Sequence, residues 1–547
     1  MTLSHLLSLF RNIPLPQVGR DDGDRAWKTD SLSVAARAVA LAALSRRATG
    51  PIVVVVGRQD TADSLTANLS QLLPPGDAPL VWSAADPLPY EQMPHDPGLS
   101  AQRSNVLGRI VTGGDAARSL VIVATARALM TAVREPGSYA RDVIELAVGK
   151  RIDDAALVRR LSAAGYEHQP QVDGPGTMSR RGGILDVFSP GAGDAVRIEL
   201  FGDEIDSIRR FDPLTQRSTE RVERVTLLPP IEYDLAERAR ALDRIRELDL
   251  AVLRDEVRAE WDRLIALLDA GAVPPSIDLV ASLFPGNEAS LLDYLPPSST
   301  LVVIDPQSVG LQMDQVALQA EDVRQTLEQA GEIPSGFPVP YRRRQDLAAG
   351  VERLGVWRIG ADDRPGIDVL AGAPFGDTPV FGGRIDDLVE DLRGELADGW
   401  RVVLATEQSE RLRDLLEEND IYPRAFKRGA ADAATPPAPG TIDVVHAPLT
   451  VGFRLEPARL LVLSDLELFG IRKVVRAQAI QARQRPRRAR QFNPGAYVVH
   501  VEHGVGQFAG LVRLDLSGVE REYLQVDYAG GDRLYVPVDQ SDRHLPL

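Results

Sequence analysis

The sequence predicts a multidomain α/β protein, and three observations carry that reading. Short apolar runs alternate with stretches of helical periodicity in two separate parts of the chain. A β-meander punctuated by glycines interrupts the first of these parts. Residues 493–547 are strand and turn throughout. With 547 residues the chain is too long for one hydrophobic core, so three or more domains are expected.

The first part begins with "SLSVAARAVALAALSRR" (31–47), apolar at helical spacing. "PIVVVVGRQ" (51–59) is a short buried-strand run leading into "DTADSLTANLSQLL", and "SLVIVATARALM" (119–130) is a second strand entering a helix. Strand and helix in alternation argue for a parallel sheet covered on both faces. The texture then changes. A helical stretch at 153–166 precedes "GGILDVFSPGAGDAVRIELFGDEIDSIRRFD" (182–212), whose alternating strands are broken by a Pro-Gly-Ala-Gly turn and a Gly-Asp turn. This is a small α+β domain inserted into the α/β one. A charged helical region (about 234–270) follows, then the buried-strand pattern of "LLDYLPPSSTLVVIDP" (291–306). A second α/β unit is built from 384–420, "TIDVVHAP" (441–448) and "ARLLVLSDLELFG" (458–470). In the last part, Leu524, Val526 and Tyr528 alternate up one strand of "REYLQVDYAGGDRLYVPV", Ala-Gly-Gly-Asp turns, and Leu534, Val536 and Val538 alternate down the next.

Composition narrows the function. The chain has 44 % hydrophobic and 26 % charged residues, as in a folded protein, and no Cys, which excludes disulfides and cysteine-ligated zinc. The opening "MTLSHLLSLFRNIPLPQ" has no signal-peptide pattern, no stretch reaches the length of a membrane helix, and a cytoplasmic location without membrane contact is expected. A net charge of −16 argues against indiscriminate nucleic-acid binding. The exception is "IRKVVRAQAIQARQRPRRAR" (471–490), which carries no acid at all. It reads as a solvated linker or as a contact for nucleic acid or an acidic protein face.

Alternating α/β units raise the question of a nucleotide site. A phosphate loop needs glycines to cradle the phosphates and a lysine followed by Ser or Thr. The lysines are Lys28, Lys150, Lys427 and Lys473; only Lys28 precedes Thr, and Trp27 stands where a glycine is required. "LLVLSDLE" (460–467) mimics a magnesium-binding acidic box, but with no phosphate loop Asp465 and Glu467 are expected to cap a helix or fix a loop. His500 and His503 in "HVEH" are expected to satisfy a turn rather than hold a metal. No nucleophile elbow appears. No catalytic residue, no cofactor and no metal are expected.

At this point the residues carry a resemblance. "RRGGILDVFSPGAGDAVRIELFGDEIDSIRRFDPLTQRS" resembles the inserted domain shared by the excision subunit UvrB and the bacterial transcription-repair coupling factors. "DPLPYEQMPHDPGLSAQR" (86–103) and "ATARALM" (124–130) resemble the degenerate first motor-like domain of the coupling factors, and "PLTVGFRLEPARLLVLSDLELFG" (448–470) their next domain. "AYVVHVEHGVGQFAGLVRLDLSGVEREYLQVDYAGGDRLYVPVDQ" (496–540) is similar to their polymerase-interacting module, also found in CarD-type regulators. The resemblance implies a degenerate RecA-like domain at 1–130 and 214–340, an inserted UvrA-binding domain at 131–213, a small α/β domain at 345–470, a basic linker at 471–492, and a Tudor/SH3-like barrel at 493–547. It implies UvrA and the RNA polymerase β subunit as partners. ATP and magnesium would belong to motor domains that, in the family, follow the polymerase-binding module beyond this chain.

The resemblance also turns "RRGGILDVFSP" into a docking surface. Arg180 and Arg181 can bind carboxylates bidentately, Gly182 and Gly183 let a backbone come close, and Phe188 offers an aromatic anchor. Strand alternation puts Leu185 and Val187 toward the core and Asp186 on the wetter side with Ile184 and Phe188. The competing reading leaves the glycines as a turn and Phe188 as core. On the polymerase side, Val499, Val501, Glu502, His503, Gly504 and Val505 would form a contact strand that extends a polymerase sheet at its edge, with Val501 as the apolar knob. Arg485, Arg487, Arg488 and Arg490 are the candidate DNA contacts. The rival readings are a UvrB-type excision subunit and a CarD-like regulator.

Overall fold

Runs of β-branched residues form the strands of the first sheet, and their burial on both faces explains why they show no alternation. The computed structural model describes residues 3–13, 25–27, 32–85, 90, 96–274, 276–360, 368–369, 374–424, 435–471, 497–500, 504–516, 519–527, 533–537 and 544–546. It divides into two units, Met1–Arg485 and Pro486–Leu547.

In the first unit, β1 (Arg25–Trp27), β2 (Ile52–Val56), β3 (Leu80–Trp82) and β4 (Val121–Thr125) enter a parallel sheet. Between them lie α1 (Val34–Ser45), α2 (Gln59–Leu72) and α3 (Pro97–Thr112). The chain then leaves for the inserted domain: β5 (Ile144–Ala147), β6 (Glu167–His168), β7 (Thr177–Arg181), β8 (Ile184–Phe188), β9 (Ala195–Phe201), β10 (Glu204–Phe211), β11 (Ser218–Val222) and β12 (Arg224–Leu227). From β7 to β11 the strands form the expected antiparallel meander. β5 and β12 pair with each other and close the insertion at its base. The helix Asp154–Ala163, capped by the Asp153 carboxylate, packs Leu157 and Leu161 against Met178, Leu185, Val187, Ile198 and Ile208.

The chain then returns to the first sheet with β13 (Thr300–Ile304), β14 (Gly355–Ile359) and β15 (Asp368–Val369). The sheet order is β15-β1-β14-β13-β2-β4-β3. Its strands therefore extend past residue 345, where the sequence places the start of the second α/β unit. "GVWRI" is buried throughout, so its pattern is the same in either sheet. The second sheet contains β16 (Phe375–Gly376), β17 (Arg401–Ala405), β18 (Ile442–Val445), β19 (Phe453–Leu455) and β20 (Leu460–Ser464), in the order β16-β19-β20-β17-β18.

The two sheets share a core. α1 is an alanine-rich helix buried from Ala38 through Ser45 on every side. It is covered by Leu3, Leu6 and Phe10 of the 3-10 helix Leu3–Asn12 and by Ala405, Ala447, Phe453, Leu455 and Val462 of the second sheet. Phe10 meets Phe453 edge-on, with ring centroids 6.4 Å apart. The Asn68 amide donates to Thr450 Oγ1 (2.7 Å) and accepts from the Thr450 backbone N–H (3.1 Å), both buried.

One group in the second sheet's cover is held at a cost. Burial, then the neighbouring Glu395 carboxylate, pushes Asp391 upward, and its Oδ2 finds no hydrogen-bond partner among the described residues. The folded state ionises this carboxyl at higher pH than the unfolded state does. Stability therefore falls as pH rises from the ordinary Asp range through the raised value, and the loss persists above it. Asp391→Asn is expected to raise the thermal midpoint at pH 7 and to leave it unchanged or lower at pH 3, read by scanning calorimetry.

The second unit is antiparallel: β21 (Tyr497–His500), β22 (Gly504–Leu516), β23 (Val519–Asp527), β24 (Arg533–Pro537) and β25 (His544–Pro546), in the order β24-β23-β22-β21-β25. The hairpin read from the sequence is present, with Leu524 opposite Val536 and Val526 opposite Leu534.

Candidate protein-docking site

The "RRGG" segment is the turn of the β7–β8 hairpin. Gly182 has φ +59°, which favours glycine. At Gly183 a Cβ would stand 3.0 Å from the Leu200 carbonyl oxygen, and the Leu200 N–H donates to the Gly183 carbonyl at 2.8 Å. The two glycines thus press the hairpin tip against the end of β9.

The arginines beside them are partly committed. Arg180, 42 % exposed at its side chain, pairs with Asp154. Arg181 donates from Nη2 to Asp186 Oδ2 at 2.9 Å and keeps a side chain 56 % exposed. Asp186 is not on a wet face. It is 1 % exposed, and Arg197 grips it bidentately from β9, Nε to Oδ1 at 2.7 Å and Nη2 to Oδ2 at 2.9 Å. The bonded Asp186 carboxylate in turn pushes the Arg197 guanidinium further up. Asp186 therefore holds two cations in register beneath the surface and presents no oxygen to a partner.

Phe188 also departs from the docking reading. It is 7 % exposed and packs in a small cluster with Val172, Ala195 and Phe211. Alternation does separate Leu185 and Val187, which face the main core, from Phe188, but the second face is covered at that end as well. The exposed apolar groups stand at the other end. Ile184 is 37 % exposed and Phe201, the last residue of β9, is 84 % exposed. Ile184 pairs with Glu199 and Asp186 with Arg197, so Arg181, Ile184, Arg197 and Phe201 fall on one face by register and alternation. An open groove there is lined by Gln171, Arg181, Ile184, Arg197 and Gln216. Sequence reasoning missed Arg197 and Phe201. The signal was Phe201 directly before the Gly202-Asp203 turn, where a side chain overhangs the end of the sheet. An exposed aromatic on the same sheet face as two arginines is the composition of an interface anchor.

Lys28 and Thr29, the residues closest to a phosphate-loop pattern, lie outside the described residues. At the start of α1, Ser33 Oγ accepts the Ala36 N–H and donates to the Gly452 carbonyl at 3.5 Å. The acidic pair of "LLVLSDLE" is structural. Asp465 accepts from Thr406 Oγ1, and Glu467 Oε2 accepts the N–H groups of Gly452 (2.9 Å) and Ser464 (2.8 Å), closing a capping box.

In the second unit Val499 pairs with Val505 and His500 with Gly504. β21 is flanked on its other side by β25, so a strand added to this sheet would meet β24 or β25 before β21. That corrects the assignment of "VVHVEHGVG" as an edge. Val501, Glu502 and His503 lie outside the described residues, as do Arg485, Arg487, Arg488 and Arg490. Among the described residues no group of three or more His, Asp or Glu is placed to hold a metal, and no helix is long and apolar enough to cross a membrane.

A meander with an exposed arginine-aromatic tip, joined in one chain to a separate antiparallel β unit, defines a class. Residues 144–233 match the UvrB interaction domain, and residues 492–546 match the CarD-like/TRCF RID domain. The particular likeness spans nearly the whole chain. It is 27 % identical to the transcription-repair-coupling factor of Bacillus subtilis (strain 168), over 96 % of this chain and 45 % of that protein. It is 29 % identical to the transcription-repair-coupling factor of Myxococcus xanthus, over 93 % of this chain and 44 % of that protein. The chain thus spans less than half the length of these relatives, and the resemblance drawn from its motifs is borne out.

Proposed function

We propose that the chain is an adaptor of transcription-coupled nucleotide excision repair that joins stalled RNA polymerase to UvrA. The observation that carries this reading is the exposed tip formed by Arg181, Ile184 and Phe201 within the segment that matches a UvrB interaction domain. UvrA binds there. The polymerase β subunit binds the module at 492–546, through a free edge of its sheet. The basic run at 471–490 tethers the two and touches DNA electrostatically.

The chain itself hydrolyses no ATP. Its first sheet is RecA-like and degenerate: residues 28–33, between β1 and α1 in the sequence, hold no glycine for a phosphate cradle, and the second sheet covers α1. ATP and magnesium belong to the motor domains of the longer relatives. The C-terminal unit is a Tudor/SH3-like module, and the protein works in the cytoplasm.

The test is a three-component capture. Immobilised UvrA is expected to retain core RNA polymerase only when the chain is added. Retention of the chain without polymerase, or of neither, would overturn the adaptor reading; in the second case, capture of the chain by immobilised polymerase would leave a CarD-like regulator.

A further inference from the structure

The 3-10 helix Leu3–Asn12 crosses the end of α1 and leaves a pocket between them. Its lining is Leu7, Phe10, Arg11, Ala43, Arg46 and Arg47. Three guanidinium groups share this hollow in a chain whose net charge is −16. Arg46 forms a loose ion pair with Asp77, its Nη1 3.9 Å from Oδ2, and keeps a side chain 55 % exposed. No carboxylate pairs with Arg11 or Arg47 among the described residues.

Helix capping does not account for these arginines. At the end of α1 the Leu44 carbonyl accepts the N–H groups of Arg47 and Ala48 at 2.9 Å, and the Ala42 carbonyl accepts Ser45 Oγ at 2.9 Å. The Ala42 and Leu44 carbonyls are therefore served without a guanidinium. Arg47 has a different job. It donates to the Arg11 carbonyl and, at 3.1 Å, to the Ile13 carbonyl, which fixes the 3-10 helix over α1. That tie sets the Arg11 backbone beside Arg47; among the described residues the Arg11 side chain has no carboxylate partner, and Arg46 has only its loose pair with Asp77. The floor between them is apolar: Leu7, Phe10 and Ala43.

We infer that this pocket binds a nucleotide unit, phosphate on Arg11 and Arg46 and the base or sugar on the Leu7–Phe10 floor. Planar guanidinium forks match phosphate oxygens bidentately, and a concave, locally cationic surface concentrates anions even on an acidic protein. The apolar floor favours a ligand with an apolar body over a bare inorganic ion. The nucleotide unit comes from a nucleic-acid strand or from a free nucleotide, and the two are separable by experiment.

The full chain is titrated, at low salt, into a fluorescein-labelled single-stranded oligonucleotide, read by anisotropy, and into AMP, read by calorimetry. The variants are Arg11→Glu with Arg46→Glu, and Arg487→Glu with Arg488→Glu as the linker control. Arg47 is left intact because it holds the fold, and an unchanged thermal midpoint verifies each variant. Loss of about tenfold or more in oligonucleotide affinity with the pocket variant, but not with the linker variant, supports the site and assigns it to a strand. Loss of AMP binding with oligonucleotide affinity unchanged supports the site and assigns it to a free nucleotide. If the pocket variant alters neither titration, the inference is overturned.

Discussion

A chain cut after residue 340 is expected not to fold, although the sequence places a domain end there. Such a cut removes β14, which stands between β1 and β13 in the first sheet, and so detaches β1 from the rest. It also strips the second sheet from α1 and leaves Ala35, Val39 and Leu41 without the cover of Phe453, Leu455 and Val462. A helix apolar all round is stable only when covered all round. The 1–340 fragment should show no cooperative thermal transition and should bind an apolar dye, whereas a fragment ending at 471 should unfold cooperatively. A sharp transition in the shorter fragment, at the temperature of the longer, would contradict the shared core. Within the full chain Phe453→Ala should cost about 3–5 kcal/mol, the usual range for truncating a buried phenylalanine.

The second large effect centres on Asp186. Arg197→Ala removes the bidentate partner of a carboxylate that is 1 % exposed and leaves it only Arg181. Stranding a buried charge costs about 3–5 kcal/mol, and the remaining guanidinium should reduce that to about 2–3. Arg197 also stacks on Phe211, its guanidinium 4.8 Å from the ring centre, so the substitution loosens the cluster around Phe188 as well. Replacing Asp186 and Arg197 together by Leu and Met should restore much of the loss, because neither charge is then stranded. Urea unfolding of the parent chain and the two variants measures this. If the double variant is as unstable as Arg197→Ala, the ion pair is not the source of the cost.

Periodicity made the meander legible because one face of it is a continuous core, from Met178 through Leu185 to Ile208. The hairpin at 523–537 was legible for the same reason. What alternation cannot say is whether the opposite face is wet. Asp186 and Phe188 share that face with Phe201, yet Val172 covers Phe188, two arginines cover Asp186, and nothing covers Phe201. The covering groups come from a loop and from the strands on either side, so no local pattern in "GGILDVF" could reveal them. The same limit explains the misplaced domain boundary. A strand buried on both faces carries no mark of which sheet it joins, and "GVWRI" joined the earlier one. In the C-terminal unit the sequence identified strands, but edge status depends on β25, far along the chain from β21.

The docking surface is the central claim, and its most direct test is the affinity of UvrA for the full chain and for Phe201→Ala, Arg181→Ala and Phe188→Leu, by biolayer interferometry. The exposed aromatic should behave as a hot spot, so Phe201→Ala should weaken binding by about 2 kcal/mol or more, roughly thirtyfold. Arg181→Ala should weaken it too, whereas Phe188→Leu, a change inside a covered cluster, should leave it within a few-fold. Full affinity in Phe201→Ala, or a loss confined to Phe188→Leu, would place the contact elsewhere and contradict the account.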